Sequence, residues 1–134
     1  MNILLDTNAL LWALLTPDRL STLAHRVIVE AETVYVSAAS IYEIDFKREK
    51  LKAGGARRED SFLTRMPHDM ARSLPILGFA LLDISAEVAS RAARLPLHHR
   101  DPWDRLIVAQ AMSLDAPLVS VDAALSAYDV DILW

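Results

Sequence analysis

The chain has 134 residues, no cysteine, a net charge of -4 and a hydrophobic fraction of 53%. Without cysteine there is neither a disulfide framework nor a thiolate zinc site, which fits a reducing cytoplasm. The negative balance argues against indiscriminate binding to nucleic-acid backbone, because that affinity comes from Lys and Arg displacing counterions. Length predicts one domain over residues 1–134, large enough to bury about two-thirds of its unfolded surface. A hydrophobic share above the usual ~45–50% fits either a high Ala and Leu content or apolar surface meant for another chain.

Asn2 to Leu5 reads as a short buried strand, and Thr7 to Leu15 as a helix stopped at Thr16-Pro17, since proline disfavours helix at the residue before it. Asp6 stands where a secretory leader needs a basic region, and the apolar stretch Ala9 to Leu15 is too short to span a bilayer, so a soluble chain is expected. Ser21 is placed to cap a helix to about Glu32, and Thr33 to Ser37 has the β-branched and aromatic content of a second strand. Ala38 to Lys52 reads as a helix ended by Gly54-Gly55, followed by a helical region from about Glu59 to Gly78 that Pro67 and Pro75 break or bend. Phe79 to Ile84 gives a third strand, Ser85 caps a helix to about Leu95, and Asp101-Pro102 starts another that runs to Leu114. Pro117 to Val121, a short helix from Asp122 to Tyr128, and an edge strand from Val130 to Trp134 complete the chain. The alternation predicts an α/β three-layer sandwich with a central, mostly parallel sheet flanked by helices.

Four carboxylates, Asp6, Glu43, Asp104 and Asp122, sit where apolar segments end or on the helices that follow. In an open parallel sheet such positions converge at the carboxyl ends of the strands. Each also has a structural reading: Asp6, Asp104 and Asp122 as helix N-terminal acids, and Glu43 as the partner of Lys47 in an i,i+4 ion pair worth ~0.2–0.5 kcal/mol. Gathered together they repel, by about 1 kcal/mol per pair at ~5 Å in bulk water and more in a protein, so the group calls for a cation. Oxygen-only ligands point to Mg²⁺ or Mn²⁺. His98 and His99 are expected on the loop surface, since a hard cation does not call for imidazole. Lys47, Arg48, Lys50, Lys52, Arg57 and Arg58 form a concentrated positive patch, either a solvated helix end or a contact for substrate phosphate. Arg100 and Arg105 flank the acidic turn, placed to pair with Asp101 and Asp104 or to reach substrate.

The segments Leu4-Leu5-Asp6-Thr7-Asn8, Ser37-Ala38-Ala39-Ser40-Ile41-Tyr42-Glu43, His99-Arg100-Asp101-Pro102-Trp103-Asp104-Arg105-Leu106 and Leu118-Val119-Ser120-Val121-Asp122 together resemble the PIN-domain nucleases in order and spacing. The loop before Asp104 and Gln110-Ala111 after it look most like the VapC toxins of bacterial type II toxin–antitoxin pairs, which are small cytoplasmic ribonucleases. The resemblance implies a Mg²⁺- or Mn²⁺-dependent endoribonuclease in which Asp6 and Asp104 ligate the cation directly, and Glu43 and Asp122 do so directly or through water. It places Asn8 and Ser120 as supporting polar residues, with Asp101 as a helix cap or a support to the site. It further implies an RNA substrate, a cognate antitoxin lying in an apolar groove that includes Trp12, and a homodimer. Trp12 has a plain core reading as well, because its helix is apolar nearly all round. Two other functions stay open: a catalytically silent PIN-like binding module, and a haloacid-dehalogenase-type phosphatase, which expects a second Asp where this chain has Asn8.

Overall fold

The computed structural model describes residues 1–55 and 58–134. Five strands form one parallel sheet in the order β3-β2-β1-β4-β5, with β1 Asn2–Leu5, β2 Thr33–Ser37, β3 Phe79–Leu82, β4 Leu118–Val119 and β5 Ile132–Leu133. β2 and β3 build outward from β1 in one direction, and β4 and β5 build in the other. The order therefore reverses beside β1, where Leu5 is paired with Val36 on one side and Val119 on the other.

Alternation along β1 divides the core between the two faces, as the period of two requires. Ile3 and Leu5 are buried with Ala9, Leu10, Ala24, Ile44 and Met70, whereas Leu4 is buried with Ile107, Val108, Ala111 and Leu118. Helices α1 Thr7–Leu15, α2 Thr22–Glu30 and α4 Met70–Ile76 supply the first side. The second is built on α6 Pro102–Leu114, against which α5 Ala86–Arg94 packs. Helix α3, Ala38–Lys52, leaves the end of β2 and contributes to both clusters through Ala39 and Ile44.

Most boundaries follow from local chemistry. Ser21, Ser37 and Ser85 each accept a backbone N–H from the first turn of the helix they open. Gly78, at φ 98°, closes α4 in a conformation that a side chain resists. The region expected to be helical from Glu59 to Gly78 is a run of 3-10 turns, Arg58–Arg65, then α4. Pro67 falls in the break between them, while Pro75 is accommodated inside the final turn of α4. The last two strands are shorter than expected because their pairing is confined to two residues each. The segment after β4 turns at once into a 3-10 run, Ala123–Ala127.

Candidate active site

At the reversal beside β1 the sheet delivers its acids. The Asp6 N–H donates to Val119 O at 3.1 Å, so the residue after β1 stays registered on β4, while its Oδ1 accepts the Ala9 N–H at 2.8 Å. Beyond β4, buried Ser120 accepts the Asp122 N–H at 3.0 Å, and Asp122 Oδ1 in turn accepts the Ala124 N–H at 3.0 Å. The Thr7 and Ser40 hydroxyls, 2.9 Å apart, tie the first turns of α1 and α3 together and so fix Glu43 relative to Asp6. Asp101 caps α6 by accepting the Trp103 N–H at 2.9 Å, and Asp104 follows in the same first turn. Asp6, Asn8, Glu43, Asp101, Asp104 and Asp122 all line one cleft of ≈ 210 Å³, with Lys47 at its side.

The acids are held in a setting that resists their charge. Asp6 is 6% exposed, and burial pushes its carboxyl up to about 6; the Ser120 hydroxyl and the Ala9 N–H pull it down, and the Glu43 and Asp122 charges push it up. Asp104 reaches about 7, again through burial first, then the Asp101 charge, with His99 acting in the opposite sense. Glu43 Oε2 is buried and has no hydrogen-bond partner among the described residues. The Lys47 ammonium stands 4.0 Å from Glu43 Oε1, the outer limit of an ion pair. Burial, mutual repulsion and an unpartnered oxygen together suit a hard cation with oxygen ligands. Two larger clefts, ≈ 410 Å³ beside Asp115, Asp129 and Asp131 and ≈ 560 Å³ beside Arg48 and Glu49, are lined by none of these four carboxylates.

Two expectations need correction. His99 is not loop surface: its Nε2 lies 2.9 Å from Asp122 Oδ2 and 3.4 Å from Asp104 Oδ2, inside the acid group. Arg105 neither pairs with the acids nor reaches outward. It is 8% exposed and donates to the Ala92, Ala93, Leu95, Pro96 and His99 carbonyls and to the Tyr128 hydroxyl, thereby fastening the end of α5 and the following loop. The Asp101 N–H donates to His99 Nδ1 at 3.1 Å, which ties the cap of α6 back to that histidine. Arg100 is exposed without an ion pair among the described residues, which leaves it free of Asp101 and Asp104. Arg57 and the Arg58 side chain lie outside the described residues. Within the rest of the positive patch, Arg48 pairs with Asp45 and Lys52 with Glu49. Trp12 is partly buried, edge-on to Trp134 at 5.4 Å and covered by the Arg19 guanidinium at 4.7 Å.

The PIN-domain family model matches residues 3–131. The chain belongs to the PIN-domain family. The membership sets aside the phosphatase alternative, and solved PIN-like structures share the fold at low sequence identity. FitAcB from Neisseria gonorrhoeae is 21% identical with a TM-score of 0.65, covering 97% of this chain and 95% of that one. The DNA-bound VapBC from Salmonella typhimurium is 14% identical at a TM-score of 0.66, covering 98% and 96%. VapC20 from Mycobacterium tuberculosis, a toxin that cleaves the sarcin-ricin loop, is 13% identical at 0.59, covering 96% and 95%. No curated protein sequence matches this PIN domain. Among the described residues no helix is long and apolar enough to cross a membrane.

Proposed function

We propose that this PIN domain is a Mg²⁺- or Mn²⁺-dependent endoribonuclease acting as the toxin of a type II toxin–antitoxin pair in the cytoplasm. The observation that carries the reading is the set of four carboxylates from four separate segments around one cleft, two of them driven to about 6 and about 7, with a buried Glu43 oxygen left without a donor. These carboxylates would hold a divalent cation, which would supply Lewis acidity toward a phosphodiester and lower the pKa of a bound water. Asp6 and Asp104 are the direct ligands in this reading, and Glu43 and Asp122 bind directly or through water. Ser120 orients Asp6 and Asp122 from behind, Asp101 holds the first turn of α6, and exposed Asn8 faces substrate at the mouth of the cleft. Arg100 is the exposed cation placed to meet RNA phosphate, with Arg57 and Arg58 as further contacts.

The antitoxin partner is supported by the named VapBC structure, a homodimer by the resemblance to VapC toxins, and a docking groove by Trp12, whose ring stays partly accessible. No side-chain nucleophile is needed and the ribose 2′-hydroxyl is not consumed. Cleavage of RNA by the purified chain with Mg²⁺ or Mn²⁺ should therefore leave 5′-phosphate and 3′-hydroxyl ends. End-mapping that finds 2′,3′-cyclic phosphates would overturn the mechanism. Calorimetry that detects no binding of either cation would return the chain to the silent binding module.

A further inference from the structure

We infer that His99 is a positioning residue for the cleft, a hydrogen-bond donor of fixed tautomer that holds Asp122 and Asp104 for the cation and is not itself a ligand. The inference rests on the metal reading above. Taken by distance alone, His99 looks like a third ligand, because one atom each from His99, Asp104 and Asp122 lies within 4.8 Å of the others. The far side of the ring decides otherwise. His99 Nδ1 accepts the Asp101 N–H at 3.1 Å. A neutral imidazole has one donor and one acceptor nitrogen. With Nδ1 used as the acceptor, the proton is on Nε2, the atom that faces both carboxylates. A nitrogen carrying that proton has no lone pair for a cation. Moving the proton to Nδ1 would free the lone pair, but would set two N–H groups against each other at Asp101.

The loop leaves the ring little freedom to escape this arrangement. The His99 N–H donates to the Tyr128 hydroxyl at 3.0 Å, and that hydroxyl donates to Pro96 O at 2.8 Å. Arg105 Nη1 holds the Pro96 and His99 carbonyls from the core side, and His98 packs edge-on against Tyr128 at 5.1 Å. The Nε2–H is thus delivered from a clamped backbone. Asp122 then has a donor on each oxygen, Ala124 N–H at Oδ1 and His99 at Oδ2, which together fix the plane of the carboxylate. Asp104, at 3.4 Å, is steered more loosely. A single N–H set between the two carboxylates relieves part of their repulsion.

The test needs no RNA. Long-range proton–nitrogen spectra of the full chain labelled at histidine, taken without and with Mg²⁺, should show His99 as the Nε2–H tautomer in both states. Calorimetry with Mn²⁺ should show affinity falling about 10-fold or more in His99→Ala, and largely restored in His99→Gln, whose amide N–H substitutes for Nε2–H. An Nδ1–H tautomer, loss of the Nε2 proton on adding Mg²⁺, or equal Mn²⁺ affinity in wild type and His99→Ala would each overturn the assignment while leaving the nuclease reading in place. Should the alanine variant fail to fold, the wild-type spectra and His99→Gln decide, and a glutamine variant as weak as a ligand deletion counts against the donor role. A wild-type chain that binds neither cation removes the metal reading and this inference together.

Discussion

Asp104 and Arg105 are consecutive residues on α6, both charged and both largely removed from water, yet their surroundings are opposite. Arg105 is saturated: five carbonyls and a hydroxyl converge on its guanidinium, and no acid is needed to hold it. Asp104 is starved, with one long contact from His99 and other carboxylates as neighbours. The contrast separates structure from function within a single turn of helix. A buried charge supplied with all its hydrogen bonds serves the fold, whereas one denied them has been left for something that arrives later.

The strongest test of that contrast is Arg105→Met, which strands the carbonyls at the end of α5. It should cost about 3–4 kcal/mol of stability in a denaturant titration, and a loss below about 1 kcal/mol would show that water replaces the guanidinium easily. Asp6→Asn and Asp104→Asn should behave in the opposite way. Activity should fall by more than about 100-fold, since ligands matter more than the groups that support them, while the melting temperature stays level or rises by a few degrees as repulsion is relieved. Unfolding of both variants would return these acids to a capping role. Next in size is a pH effect. Because both carboxyls titrate well above their ordinary 3.8, the folded state holds more protons than the unfolded one between about pH 4 and pH 7. Stability of the cation-free protein should therefore fall by about 3 kcal/mol from Asp6 alone, with a smaller solvent-screened contribution from the partly exposed Asp104, and level off above that window. Added Mg²⁺ should stabilise more as pH rises, since binding requires the deprotonated acids; a flat profile would mean that the cleft is wetter than its geometry suggests. The smallest effect belongs to Tyr128→Phe, which removes the hydroxyl linking Pro96, His99 and Arg105. About 1 kcal/mol of stability should be lost, with a measurable weakening of Mn²⁺ binding, and unchanged binding would separate the loop clamp from the site.

The acids were legible in the sequence because three are announced locally, Asp6 and Asp122 by an apolar strand that runs into a carboxylate and Asp104 by an Asp-Pro helix start, while Glu43 follows on the helix after β2. Parallel order then does the rest, and Asp6, Glu43, Asp104 and Asp122 meet without any continuous motif. His99 and Arg105 were misread for one shared reason. Their partners come from other segments: Asp122 from beyond β4, the carbonyls from the end of α5, and Tyr128 from near the C-terminal strand. Nothing in the local spacing of a histidine or an arginine encodes those encounters. One signal was available, in that a histidine two residues before a helix cap is placed to accept the N–H of that cap, as His99 does from Asp101. The shortness of β4 and β5 was likewise hidden, because strand length is set by how far the neighbour continues and not by β-propensity alone.

The pairing of Leu5 with Val119 bears on when the protein can act. It joins the first strand to one that follows most of the chain, so a polypeptide emerging from the ribosome carries Asp6 and Glu43 long before anything opposes them. Until β4 docks Asp122 is absent from the cleft, and the unfinished chain lacks the assembled acid group by topology. A nuclease built on this strand order is silent throughout its own synthesis, because its site is complete only when folding is.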